Sequence, residues 1–181
     1  MRRMNLEETV KSSEYIYRGR VVNLRVDKVE TANGRETTRE VVEHRGAVAV
    51  VPLLPGNRVV MIHQFRLPAG RVLLEIPAGT LDPGEEPAAC ASRELVEETG
   101  YSAGRLRHLF SSFLAPGYSS ELLHMFVAED LTSCEGKSDP DEVLKLEIVP
   151  LNEAVDRILK GEICDAKTIC GILMVARTLG V

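Results

Sequence analysis

The chain has no apolar run long enough to span a bilayer, and the two arginines of its opening MRRMNLEETV are followed by no apolar stretch. Neither a membrane anchor nor a secretory signal is expected, and a cytoplasmic setting is. The four cysteines, Cys90, Cys134, Cys164 and Cys170, show no CxxC spacing. They read as scattered reduced thiols, and a zinc site combining them with His44, His63, His108 or His124 lacks the expected ligand spacings. Basic excess is also missing, since the formal net charge is −5. That argues against sequence-independent binding of nucleic acid or of a membrane surface. Internal repeats and low-complexity segments are absent. What remains is 181 residues, 44% hydrophobic and 27% charged, the make-up of a globular protein with a substantial core, one domain with a small extension.

The N-terminal part is rich in β-forming residues. Residues 14–30 alternate in part, TANGR (31–35) carries an Asn-Gly turn signal, and TTREVVEHR continues as a strand. This predicts a small β-hairpin or sheet over residues 1–45, ahead of a main domain over 46–181. GAVAVVPLL (46–54) is nearly all apolar and reads as a buried strand, RVVMIHQFR (58–66) as its return, and LLEIPA (73–78) as another strand. A loop, GTLDPGEE, leads into a helix over 87–99, with Pro87 in its first turn and Gly100 just past its end. RLRHLFSSF, ELLHMFVAED and VLKLEIVPL are strand-like, and two helices close the chain, the last capped by Asp165. Strands and helices mix without regular βαβ alternation, which predicts an α+β or layered α/β/α domain.

RELVEETG (93–100) gathers Glu94, Glu97 and Glu98 at the C-terminal end of that helix. Like charges three and four positions apart repel, and the helix end is itself partly negative. Helical spacing puts Ala88, Ala91, Ser92, Leu95 and Val96 on one side, expected to pack on the sheet, with the glutamates on the adjacent arc and Arg93 beside it. Two readings follow. The arc is either a solvated face paired to Arg93, or a ligand set for a hard divalent cation, which prefers carboxylates, waters and substrate phosphates.

The surrounding GTLDPGEEPAACASRELVEETGY (79–101) decides between them. It resembles the Nudix box, G-x5-E-x7-R-E-U-x-E-E-x-G-U with U a bulky aliphatic residue, and departs only at the last position, Tyr101. The resemblance implies a Nudix-type α/β/α sandwich with a mixed sheet, hydrolysing a nucleoside diphosphate linked to another group, with Mg²⁺ as cofactor and Mn²⁺ as a substitute. Carried over by position, Glu94, Glu97 and Glu98 would be metal ligands, together with the backbone carbonyl of Ala78. Glu85 and Arg93 would pair to hold the loop and helix, and Gly79 and Gly100 would be turn residues.

Residues 62–80 further resemble the segment before the box in ADP-ribose pyrophosphatases, which implies that Arg66 reaches the substrate's phosphates and that Glu75 lies near the nucleotide. Pro116, sixteen residues past Gly100, resembles that subgroup's marker and joins the candidate substrate residues. The acidic loop before the last strand would supply a base, with Glu142 the candidate and Glu135, Asp139 and Asp141 its rivals. Glu97, Glu142 and Arg93 are thus the candidate catalytic residues. The N-terminal extension implies a homodimer whose pocket it lines, with Arg39 facing adenine or ribose phosphate, although RVVNLRV lacks the aromatic on which some relatives stack adenine. The expected reaction is hydrolysis of ADP-ribose to AMP and ribose 5-phosphate. The rivals are another nucleotide sugar such as GDP-mannose, or a non-catalytic ADP-ribose-binding module.

Overall fold

The structure is a computed structural model that describes residues 6–134 and 143–181. Its chain forms two compact units. The first runs up to Gly46 and also takes in Phe113–Leu122; the second comprises Ala47–Ser112 and Leu123–Val181.

The first unit holds a three-stranded antiparallel sheet of β1 (Thr9–Arg18), β2 (Val22–Glu30) and β3 (Glu36–His44), in that order. Residues 14–30 are therefore two strands, not the single one expected. The break falls at Gly19, whose N–H donates to the carbonyl of Val22 at 3.0 Å. A Cβ there would lie 2.6 Å from the Tyr17 ring and 2.8 Å from the Val22 oxygen, so the tight turn needs glycine. The Asn-Gly signal did mark the β2–β3 turn, where the Gly34 N–H closes onto the Thr31 carbonyl at 2.8 Å. Phe113–Leu122 joins this unit through Val42, whose N–H donates to the Tyr118 carbonyl and whose own carbonyl accepts from the Ser120 N–H.

The second unit is built on a mixed sheet with strand order β10–β5–β4–β9–β8: β10 (Leu144–Pro150), β5 (Arg58–Arg66), β4 (Ala47–Leu54), β9 (Leu122–Ser133) and β8 (Tyr101–Phe113). β4 and β9 run parallel, and β4–β5 and β5–β10 antiparallel. The continuous apolar run of β4 reflects cover on both faces. Ala47, Ala49 and Val51 point into one core cluster with Met61, Met125 and residues of the C-terminal helices α2 (Leu151–Leu159) and α3 (Ala166–Leu179). Val48 and Val50 point into the other, with Cys90, Ala91 and Leu95 of α1 (Pro87–Thr99). Helices thus cover the sheet on two sides, the expected α/β/α layering. At Gly171 a Cβ would meet Val51 at 2.9 Å and Met125 at 3.0 Å, so a side chain would push α3 off the sheet.

Residues 73–78 are not one strand. β6 (Arg71–Glu75) pairs with β5 and β7 (Ala78–Thr80) pairs with β4, both antiparallel. Between them lies Pro77, which has no N–H to give a ladder; its carbonyl instead accepts from Val50 at 2.9 Å. β4 and β5 pair with each other only near their shared turn, at Leu53↔Val59 and Leu54↔Arg58. Beyond it each takes a separate partner, and the Ile76–Pro77 crossing links the two. No helix among the described residues is long and apolar enough to cross a membrane.

Candidate active site

The site grows from α1 and the β6–β7 crossing. Pro87 occupies the first turn of α1, and Gly100 ends it at φ 67°, its N–H donating to the Val96 carbonyl at 2.9 Å. The buried stripe of the helix is Cys90, Ala91, Leu95, Glu98 and Thr99, whereas Ala88 and Ser92 are exposed. The expected packing face was rotated. Residues 91, 95 and 98 follow one another at helical spacing, so Glu98 belongs to the core-facing side and is only 6% exposed.

What makes that burial tolerable is the peptide next to it. The N–H of Ala78 donates to Glu98 Oε2 at 2.8 Å. One residue on, Gly79 lies against Glu94: a Cβ there would stand 2.0 Å from the Glu94 carboxyl carbon. Gly79 keeps an ordinary negative φ, so it is no left-handed turn residue; its contribution is the missing side chain. Two motif carboxylates thus rest on the Ala78–Gly79 backbone.

Arg93 organises the rest. Its Nε and Nη2 donate to the two oxygens of Glu85 at 3.0 and 3.1 Å, and its Nη1 donates to Glu94 at 2.7 Å and to Glu97 at 2.9 Å. A planar, always-charged guanidinium suits such a fork, which an ammonium could not match. These bonds push the Arg93 pKa further up, with Glu85 the main partner. Arg93, aided by the Asp82 N–H, holds Glu85 far below the usual carboxylate range, at about 2. Burial, with Glu85 alongside, pushes the Cys90 thiol up to about 12, so Cys90 is a packed thiol and not a nucleophile.

Among the described residues no three His, Cys, Asp or Glu side chains are gathered at metal-ligand spacing. The motif glutamates are drawn to Arg93 and to the Ala78 N–H instead. The donor set nevertheless fits a hard divalent cation. It consists of carboxylate oxygens beside a backbone stretch, in a cradle that a Cβ on residue 79 would fill.

A second charged cluster lies on β5 and β6. Arg66 clamps Glu75 with two bonds, Nε to Oε1 at 3.0 Å and Nη2 to Oε2 at 2.8 Å. Glu75 is 1% exposed and also ion-paired to Lys167. Burial alone would raise the Glu75 pKa, but the hydrogen bonds and charges of Arg66 and Lys167 outweigh it and hold the carboxyl below its ordinary range. Asp165 caps α3, accepting from the Thr168 N–H at 3.0 Å, and pairs with Lys167 at 2.9 Å.

The structure therefore brings Glu85, Arg93, Glu94 and Glu97 into one network, and Arg66 and Glu75 into another. Arg39 and Pro116 belong to the first unit, where Arg39 is exposed on β3 and paired to Glu8, and Pro116 is exposed in a turn. Glu142, Glu135, Asp139 and Asp141 lie outside the described residues. Sequence reasoning missed Lys167 as a site residue. The signal was available: a lysine in the first turn of a helix sits against the positive end of the helix dipole and calls for an anion nearby. Gln64 was missed too; it is buried on β5, and its Oε1 finds no hydrogen-bond partner among the described residues.

Comparison with known proteins agrees with this architecture. Residues 43–170 match the NUDIX domain and residues 8–42 the nucleoside diphosphate sugar hydrolase N-terminal domain. The chain is 42% identical to the ADP-ribose pyrophosphatase of Bacillus subtilis (strain 168), covering 91% of this chain and 90% of that protein. It is also 42% identical to the methanol dehydrogenase activator of Bacillus methanolicus, covering 92% and 90%. Among solved structures, an ADP compounds hydrolase superposes with a TM-score of 0.86 at 26% identity, covering 97% of this chain and 96% of that one.

Proposed function

The chain belongs to the Nudix family, and on that premise we propose that it hydrolyses the pyrophosphate bridge of ADP-ribose, with Mg²⁺ as its cofactor. Water forms a bond to one phosphorus, the bridging P–O bond breaks, and AMP and ribose 5-phosphate leave. The observation that carries this reading is the seating of Glu94 and Glu98 on the Ala78–Gly79 backbone beside the Arg93 network. Mg²⁺ would be held by Glu94, Glu97, Glu98 and the carbonyl of Ala78, with Mn²⁺ as a substitute. When bound it supplies Lewis acidity and a water of lowered pKa.

The chain's own residues have distinct tasks. Arg93 orients Glu94 and Glu97, and Glu85 ties Arg93 to the loop before α1. Arg66 presents positive charge to the substrate's phosphates, with Glu75 fixing its guanidinium. Arg39 contacts the adenine or the ribose phosphate, Pro116 joins the substrate-binding residues, and Glu142 serves the attacking water. We further propose a homodimer formed through the N-terminal unit, in the cytoplasm, which sedimentation of the pure protein tests for assembly.

The substrate reading draws on the 42% identity to an ADP-ribose pyrophosphatase over nine-tenths of both chains. Incubating the purified protein with Mg²⁺ and, separately, ADP-ribose or GDP-mannose tests it. AMP release from ADP-ribose is expected to dominate. Faster cleavage of GDP-mannose would reassign the substrate, and release from neither would sink the hydrolase reading.

A further inference from the structure

Lys167 is the second residue of α3, next to Ala166 and two past the Asp165 cap. A cation there faces the partly positive end of the helix and is disfavoured. Its side chain is only 12% exposed, which adds a desolvation cost. Both costs are met by anions: Lys167 ion-pairs with Glu75 and, at 2.9 Å, with Asp165. Asp165 is already engaged with the Thr168 N–H and hydroxyl, at 3.0 and 2.6 Å. Glu75 is therefore the partner that Lys167 shares with Arg66.

That sharing alters what Arg66 can do. A carboxylate bound to one guanidinium in a two-point clamp cancels its charge. Here the same carboxylate is divided between a guanidinium and an ammonium, with Asp165 at 2.9 Å balancing the second cation, so each Glu75 oxygen has a fixed donor. Glu75 is almost wholly buried, so its orientation is set by these two cations. The clamp fixes Arg66 through Nε and Nη2, while its side chain is 36% exposed and its Nη1 takes no part in the Glu75 clamp. The position of Lys167 is itself fixed. The buried Thr168 hydroxyl accepts from the Ile76 N–H at 3.0 Å, which ties the start of α3 to the residue after Glu75.

We propose that Lys167 is a positioning residue that holds the Glu75 carboxylate between two cations, so that Arg66 keeps a fixed orientation toward a substrate phosphate. It touches no substrate and acts through Glu75 and Arg66. The inference rests on the reading of Arg66 as a phosphate contact.

A mutant cycle tests it, with KM and kcat for ADP-ribose measured at saturating Mg²⁺ and thermal unfolding followed alongside. Lys167→Met is expected to raise KM by roughly five- to tenfold while kcat stays within about threefold. Lys167→Arg, which restores the charge, is expected to recover most of that loss. In an Arg66→Met background, Lys167→Met is expected to change KM by less than about twofold, because its route is already cut. Should Lys167→Met fail to fold, Lys167→Gln carries the same cycle. A full KM effect of the lysine change in the Arg66→Met background would overturn the inference. So would an effect that follows the unfolding temperature and is not recovered by arginine. If Arg66→Met alone leaves KM unchanged, the phosphate role of Arg66 fails. If Arg66→Met raises KM and Lys167→Met does not, only the role of Lys167 fails.

Discussion

Gly79 and Glu94 are in such close apposition that a Cβ on the glycine would stand 2.0 Å from the glutamate's carboxyl group. The atoms it would strike are the far end of a flexible side chain, not backbone. Gly79→Ala is therefore expected to let Glu94 swing away at little cost to the fold, within about 1 kcal/mol of wild type by urea denaturation. The displaced carboxylate is a proposed metal ligand, so activity on ADP-ribose is expected to fall about 10- to 100-fold. A variant that folds and turns over normally would show that Glu94 has no fixed place in the chemistry.

Much of this site was legible in the sequence, and the misses have physical causes. Pro87 and Gly100 bracket α1 as expected, since each has a conformational preference that acts locally. The burial of Glu98 was not legible, because a carboxylate in a packing stripe needs a donor to compensate it. That donor, the Ala78 N–H, comes from another element, twenty residues earlier in the chain. The Glu75–Lys167 pair spans a still longer separation that no local pattern encodes. Gly19 and Pro77 split strands that apolar periodicity had joined. At Gly19 the cause is a close approach to Tyr17, and at Pro77 the missing N–H.

Glu85 should leave a signature on acid stability. Its folded pKa lies at about 2, below the ordinary 4.5, because Arg93 and the Asp82 N–H favour the ionised form. Between these values the unfolded chain binds more protons, so stability rises with pH across the window. The contribution is fully present above about pH 4.5 and is lost as pH falls toward 2. Glu85→Gln removes the titrating group, so its unfolding temperature should fall less steeply with acidification than that of wild type. Equal slopes would mean that the Glu85–Arg93 pair is absent in solution.

Thr168 joins α3 to the β6–β7 crossing. It is fully buried, accepts from the Ile76 N–H at 3.0 Å and donates to Asp165 at 2.6 Å. Valine has nearly the same shape but no hydroxyl, so Thr168→Val leaves a buried N–H without its acceptor. The expected loss is about 1–3 kcal/mol in urea unfolding. Serine keeps the hydroxyl and forfeits only a methyl group, so Thr168→Ser should lose less. The reverse order would show that packing, not the hydrogen bond, makes this threonine necessary.

Divalent cations should stabilise the folded chain if Glu98 is a ligand, because anything that binds only the native state raises its stability by mass action. At a hundredfold excess of Mg²⁺ over its dissociation constant the gain is about 2.7 kcal/mol. For a chain of this size that is an unfolding-temperature rise of roughly 5–10 °C. Glu98→Gln keeps an oxygen for the Ala78 N–H, and so preserves the local fold, but removes the charge that a hard cation requires. Its rise with Mg²⁺ is expected to shrink to under about 2 °C, while its unfolding temperature without Mg²⁺ stays close to that of wild type. An undiminished rise in the variant would place the cation elsewhere and leave Glu98 as a buried brace for Ala78.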